Sequence, residues 1–135
     1  MDFKVLIAAR VLDAYTDEEL IVAWLVAYSC NEGTATSWAT GELDYDLAYD
    51  QPERAWPIIL ELVRRAPDDE ITSIIAAGPL ENLLCEHGPS FIERVEQQAQ
   101  VNPWFRHCLA GVWGWSRMLP EVYSRMRAAV GYEHL

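Results

Sequence analysis

The sequence predicts an all-α domain, a compact irregular bundle of eight or nine short helices. Three observations carry this. Apolar residues recur at three- and four-residue intervals along most of the chain, no stretch alternates with period two over a strand's length, and prolines fall where helices would begin. With 135 residues, 51% of them apolar and 23% charged, the chain is long enough for one domain over 1–135 whose core needs no disulfide or metal, and it is not disordered on composition.

Phe3, Ile7 and Val11 share one face of a first helix. In "TDEE", Thr16 can cap a second helix over about 17 to 29 while Glu19 reaches back, and that helix is apolar nearly all round, which makes it central. Residues 31 to 41, "NEGTATSWATG", read as a loop anchored by Trp38. Pro52 opens a helix with Ala55, Ile59, Leu62 and Val63 inward, which Pro57 kinks or delays. Asp68 opens the next, with Ile71, Ile74 and Ile75 inward, and Gly78 ends it. Pro79 starts a short helix bearing Leu80, Leu83 and Leu84 that stops at Gly88, and Pro89 starts another bearing Phe91, Ile92, Val95 and Ala99. Asn102-Pro103 is a cap followed by a first-turn proline, leading into Phe105, Leu109 and Trp113 at i, i+4 and i+8. A last helix after Pro120 aligns Val122, Met126 and Val130. Stacked helical pairs are the second architecture, but the segments do not repeat cleanly, so the bundle is preferred.

Three stretches, "PERAWPIILELV", "GPLENLLCEHGPSFIERVEQQA" and "NPWFRHCLAGVW", together give the chain a resemblance over about 52 to 113 to a small bacterial all-helical domain family of unknown function. The resemblance implies an all-helical fold and a bacterial source, and it carries no catalytic residues. The N-terminal helices and the acidic segment before Pro52 lie outside it.

The formal net charge is −11, spread unevenly: residues 1 to 53 carry −9, residues 54 to 105 carry −4, and residues 106 to 135 carry +2. Nucleic acids and anionic membranes are poor partners for such a chain, because binding them needs clustered Lys and Arg. A basic protein surface is a good one, since opposite fields speed encounter. The N-terminus lacks a basic start and its apolar run is broken by Arg10, unlike a signal peptide, and the longest apolar run, nine residues from Leu20 to Tyr28, falls short of the roughly 20 a membrane span needs. Cys30, Cys85 and Cys108, odd in number and far apart, suit reduced thiols. The expected location is the cytoplasm.

The richest stretch is "GELDYDLAYDQPERAW", residues 41 to 56. Counted as a calcium loop from Glu42, acids fall at positions 1 (Glu42), 3 (Asp44), 5 (Asp46), 9 (Asp50) and 12 (Glu53). Position 6, however, is Leu47, which resists the positive φ the loop needs, position 1 is the longer Glu, and Pro52 stiffens position 11. Zinc is set aside as well: Cys85 and His87 point to opposite sides of a helix, and His107 and Cys108 diverge by about 100°. The same pairs would need tertiary proximity to act as thiol-imidazole catalysts. No metal, cofactor or catalytic residue is therefore expected, and the chain is read as a non-enzyme.

Asp46 and Asp50 would repel one another on a helix at i and i+4, with Tyr45 and Tyr49 beside them as large contact surfaces. The expectation is a partner-binding surface of Glu42, Asp44, Tyr45, Asp46, Tyr49, Asp50 and Trp38, against the plain alternative of a solvated acidic turn. Of the six tryptophans, Trp24, Trp56, Trp104 and Trp113 are expected in the core, with Trp38 and Trp115 as candidate interface anchors. Arg117, Arg125 and Arg127 are expected to pair with acids or stay solvated. The function expected is an acidic cytoplasmic protein-binding module, in concrete form an immunity protein or antitoxin that neutralises a basic toxin. A small enzyme or ligand-binding protein with a carboxylate and aromatic pocket is the rival, and a homo-oligomer that buries the extra tryptophans is the third reading.

Overall fold

The computed structural model describes residues 15–29 and 36–131. The helix expected around Phe3, Ile7 and Val11, the thiol of Cys30 and the first part of the expected loop, 31–35, lie outside the described residues. Helix α1, Asp17–Ser29, starts where the capping box places it: Thr16 Oγ1 accepts from the Glu19 amide at 3.1 Å and Glu19 Oε1 accepts from the Thr16 amide at 3.0 Å. Trp38 does not sit in a loop. It opens α2, Trp38–Gly41, which continues through a π-helical stretch, Glu42–Leu47, into a last turn, α3, Ala48–Asp50. Helix α4, Pro52–Arg65, has its proline in the first turn and runs unbroken through Pro57, whose ring faces outward and whose missing amide costs one hydrogen bond on the exposed side.

Asp68 caps α5, Asp69–Ile75, by accepting from the Ile71 amide at 2.9 Å. That helix does not end at Gly78. It passes through a second π-helical stretch, Ala76–Leu80, into α6, Glu81–Val101. Nor does Gly88-Pro89 separate two helices; α6 bends there, with His87 at φ −129° and ψ 19°, and goes on. Asn102 then caps α7, Pro103–Leu109, accepting from the Phe105 amide at 3.1 Å, and Pro120 opens α8, Pro120–Val130. Among the described residues the helical segments thus join into six continuous rods and there is no strand, because two of the expected breaks are π-turns or bends that keep the rod going.

Every rod contributes to one buried apolar cluster. Leu20 and Trp24 of α1 meet Leu43 and Leu47 of the first π stretch, Ile58, Ile59 and Leu62 of α4, Leu80 of the second π stretch, Phe91 and Val95 of α6, Phe105 of α7 and Met126 of α8. Trp56 is half-buried, with its ring 5.9 Å from Phe91 and 5.7 Å, edge-on, from Phe105. Trp104 and Trp113 depart from the expected core. Trp104 is 75% exposed because it precedes the inward Phe105 and falls on the outer side of α7, and Trp113 is exposed because α7 stops at Leu109 before the i+8 position is reached.

Candidate functional site

The two π-helical stretches pack against each other, and this contact organises the polar groups of the interior. A π-turn widens the helix by one residue and is often associated with functional sites. Here it turns Leu43, Asp44 and Leu47 inward together. Asp44 is only 7% exposed, so it is no part of the partner surface expected for it. Its Oδ1 accepts from the Trp24 indole at 3.0 Å, and its Oδ2 lies against Gly78, where a Cβ would stand 2.9 Å away. A side chain at position 78 would push the carboxyl from this place. Burial pushes the Asp44 carboxyl up to about 7, against the opposing effect of the Trp24 hydrogen bond.

From Asp44 a chain of hydrogen bonds runs to the surface. Asn82 Nδ2 donates to the Asp44 carbonyl at 2.8 Å, and Asn82 Oδ1 accepts from Arg117 Nη2 at 2.9 Å. Arg117 Nη1 donates to Glu81 Oε2 at 3.3 Å, and Glu81 Oε1 accepts the Trp113 amide at 3.0 Å. The chain ties the first π stretch to the loop that follows α7, a relation between residues 32 to 38 positions apart that no local pattern reveals. The visible signal was Gly111 and Gly114 on either side of Trp113, which break the helix on which Trp113 would have been core.

The remaining expected surface residues divide by side. Tyr45 is 56% exposed and Asp46 and Asp50 are exposed, with the Tyr45 and Tyr49 rings 6.0 Å apart. Tyr49 is half-buried, and its carbonyl accepts from His87 Nε2 at 2.6 Å. Glu42 and Trp38 face the other way: Glu42 accepts from the Tyr15 hydroxyl, and the half-buried Trp38 packs 5.2 Å from the Tyr15 ring with its indole nitrogen unpaired among the described residues. Burial, reinforced by Glu42, raises the Tyr15 hydroxyl well above its ordinary range.

Most of the described arginines are paired with other acids. Arg54 pairs with Asp17, Arg64 with Glu61, Arg65 with Glu18 and Glu61, Arg94 with Glu53, Arg117 with Glu81 and Arg125 with Glu96. Among the described residues no arginine or lysine pairs with Asp46 or Asp50.

The Cys108 thiol is buried, points to the Thr72 carbonyl at 3.6 Å and is pushed up to about 12 by burial; the half-buried Cys85 thiol is raised by the same cause. No three acidic, His or Cys side chains converge as metal ligands among the described residues. Separately, a cleft of about 340 Å³ between the α4–α5 junction and α7 is lined by Trp104, Asp69 and His107, with His107 Nε2 3.2 Å from Asp69 Oδ1.

No curated protein and no solved structure matches the chain. A family model does, over residues 28–133, so the match takes in the acidic segment where the sequence resemblance had begun only at 52. The chain belongs to DUF6869, a family of unknown function.

Proposed function

We propose that this chain is a protein-binding module that receives a basic partner on the helical face carrying Tyr45, Asp46, Tyr49 and Asp50. The observation that supports it is a pair of exposed carboxylates with which no cation pairs among the described residues, beside an exposed tyrosine, while most of the described arginines pair with other acids. Uncompensated like charge four residues apart on a helix destabilises it by a few tenths of a kcal/mol. An opposite charge on a partner relieves that repulsion. In concrete form the role is that of an immunity protein or antitoxin in a bacterial cytoplasm, covering the basic cleft of a toxin; the specific role is drawn by analogy from charge and size.

The test compares wild type with Asp46→Asn/Asp50→Asn in affinity capture from the source organism, then measures association with the captured partner at several salt concentrations. The variant should melt no lower than wild type, associate more slowly and lose part of the salt dependence of its on-rate. Tyr45→Ala should act on dissociation instead. Capture of the same proteins in equal yield by wild type and the double variant overturns the reading. The rival reading, a ligand-binding protein or enzyme, draws on the 340 Å³ cleft, where Trp104 offers an aromatic plate beside the Asp69–His107 pair. Binding of a small-molecule set that shifts the His107 and Trp104 resonances, with Tyr45 unmoved, would transfer the site there.

A further inference from the structure

The segment after α7 exposes large apolar side chains while being firmly held. Trp113 is 68% exposed, Trp115 66% and Leu119 58%, whereas Val112 before them and Gly114 and Met118 between them are buried. Glu81 grips the loop at both ends of its turn, through the Trp113 amide and the Arg117 guanidinium, and the Arg117 and Met118 amides both donate to the Gly114 carbonyl at 2.9 Å. The indoles are therefore outside because the backbone is fixed, and holding two tryptophans in water on a fixed loop forgoes the burial that a slack segment would find for them. Rigid tryptophans are the side chains most often found at the energetic centre of interfaces.

Charge indicates what covers them. From Ala110 to Leu119 the single charged side chain is Arg117, and it is closed on Glu81. In a molecule of formal net charge −11 this is a neutral, aromatic patch on a strongly anionic surface. Two copies repel through most of their faces and approach at least cost here. The two indoles, exposed by about two thirds, present on the order of 300 Å² per copy, roughly half across two copies of the ~1,200 Å² at the lower end for a specific interface; Leu119 and the flanking backbone add to that. A two-fold arrangement sets the same patch on both sides.

We propose that the Trp113–Leu119 face is a homodimer interface, occupied by the same face of a second copy. It stands independently of the anionic face assigned to a basic partner, and salt separates the two: screening strengthens contact between like-charged copies and weakens contact between opposite charges. Sedimentation velocity from low-micromolar to several-hundred-micromolar protein, at low and high salt, tests it. Wild type should move from monomer to dimer with concentration, at lower concentration in high salt. Trp113→Ser/Trp115→Ser should raise the dimer dissociation constant about thirtyfold or more while melting near wild type, since both rings are exposed. Leu119→Glu, which leaves both indoles in place and puts like charges across the two-fold, should also give a monomer, and Asp46→Asn/Asp50→Asn should dimerise at least as well as wild type. A wild type that stays monomeric at every concentration and salt overturns the proposal and leaves the face to a different protein; a folded double tryptophan variant that dimerises like wild type overturns it too.

Discussion

Asp44 shows how one residue inverts its expected role when its backbone changes pitch. In the sequence it is one acid in a run of acids; in the fold it is the acid that the π-turn carries inward with Leu43 and Leu47. The groups around it are short of charge. Its neighbour from α1 is Trp24, with the Tyr28 hydroxyl nearby and itself raised by burial and then by Asp44. The second π stretch, Ala76–Leu80, holds no titratable group, and α4 turns Ala55, Ile58, Ile59, Leu62 and Val63 to the core. Arg117 stops one residue short, at Asn82. A carboxyl with an ordinary value of 3.8 and a folded value of about 7 keeps its proton in the folded state across that interval while the unfolded chain loses it. Stability should then fall as pH rises from about 4 to 7, by at most about 1.4 kcal/mol per pH unit, and level off above. Asp44→Asn, which cannot ionise, should flatten the profile in that window. Denaturant melts from pH 4 to 8 check it, and a wild-type profile that rises across the same interval would remove Asp44 as the controlling group.

At the scale of elements, most helix starts were legible, the one at Trp38 was not, and neither was the continuation of the long rod through its two expected stops. Thr16 with Glu19, Pro52, Asp68, Asn102-Pro103 and Pro120 all act within one turn of themselves, so each start is written locally. Gly78-Pro79 and Gly88-Pro89 look like stops by the same local rules, but there the neighbours decide. Gly78 makes room for the Asp44 carboxyl, and Gly88 lies under Val122 of α8, where an added Cβ would stand 2.7 Å from the Val122 Cγ1. Propensity alone says that alanine improves on glycine inside a helix by up to about 1 kcal/mol. At Gly88 the sign should reverse. Gly88→Ala forces α6 and α8 apart or distorts the rotamer of Val122, at a cost of about 1 to 3 kcal/mol, and urea unfolding of this variant beside Val122→Ala/Gly88→Ala should show the loss partly recovered when the methyls of Val122 are removed. The acidic face was half legible for a related reason: the i, i+4 spacing of Tyr45 with Tyr49 and of Asp46 with Asp50 predicts their shared side, whereas the inward turn of Asp44 depends on a π pitch that carries no compositional mark.

For the whole molecule, the arrangement of charge follows from where the arginines end up. Arg65, Arg94, Arg117 and Arg125 each close a pair with an acid distant in sequence, cross-linking rods that the apolar cluster already holds, and exposed pairs of this kind add little stability. Their larger effect is on the outer field, which they leave negative around Asp46 and Asp50 and neutral along Ala110 to Leu119. The anionic face sits on the rod that holds the first π-turn, and the neutral one on the loop gripped by Glu81 of the rod that holds the second, so the register of these rods makes the polypeptide's length a functional quantity. A helix tolerates a change of side chain at an outward position, but removing one residue turns everything after it by about 100°. Deleting the exposed Glu93 should therefore preserve helix content by circular dichroism and abolish a cooperative melt, because the rest of α6 would arrive with Val95 and Ala99 swung off the core and Glu96 swung away from Arg125, whereas deleting Ala77 takes out the extra residue of the π-turn and lets the rod close as an α-helix with its register kept. Deleting Pro67, in the bend between α4 and α5, falls outside a rod and should be the milder lesion. Homologous chains can then vary freely at the exposed Ala77 and can even lose the π-turn's extra residue, yet an insertion or deletion in the α-helical run beyond it would be inherited only alongside a compensating one further along the same rod.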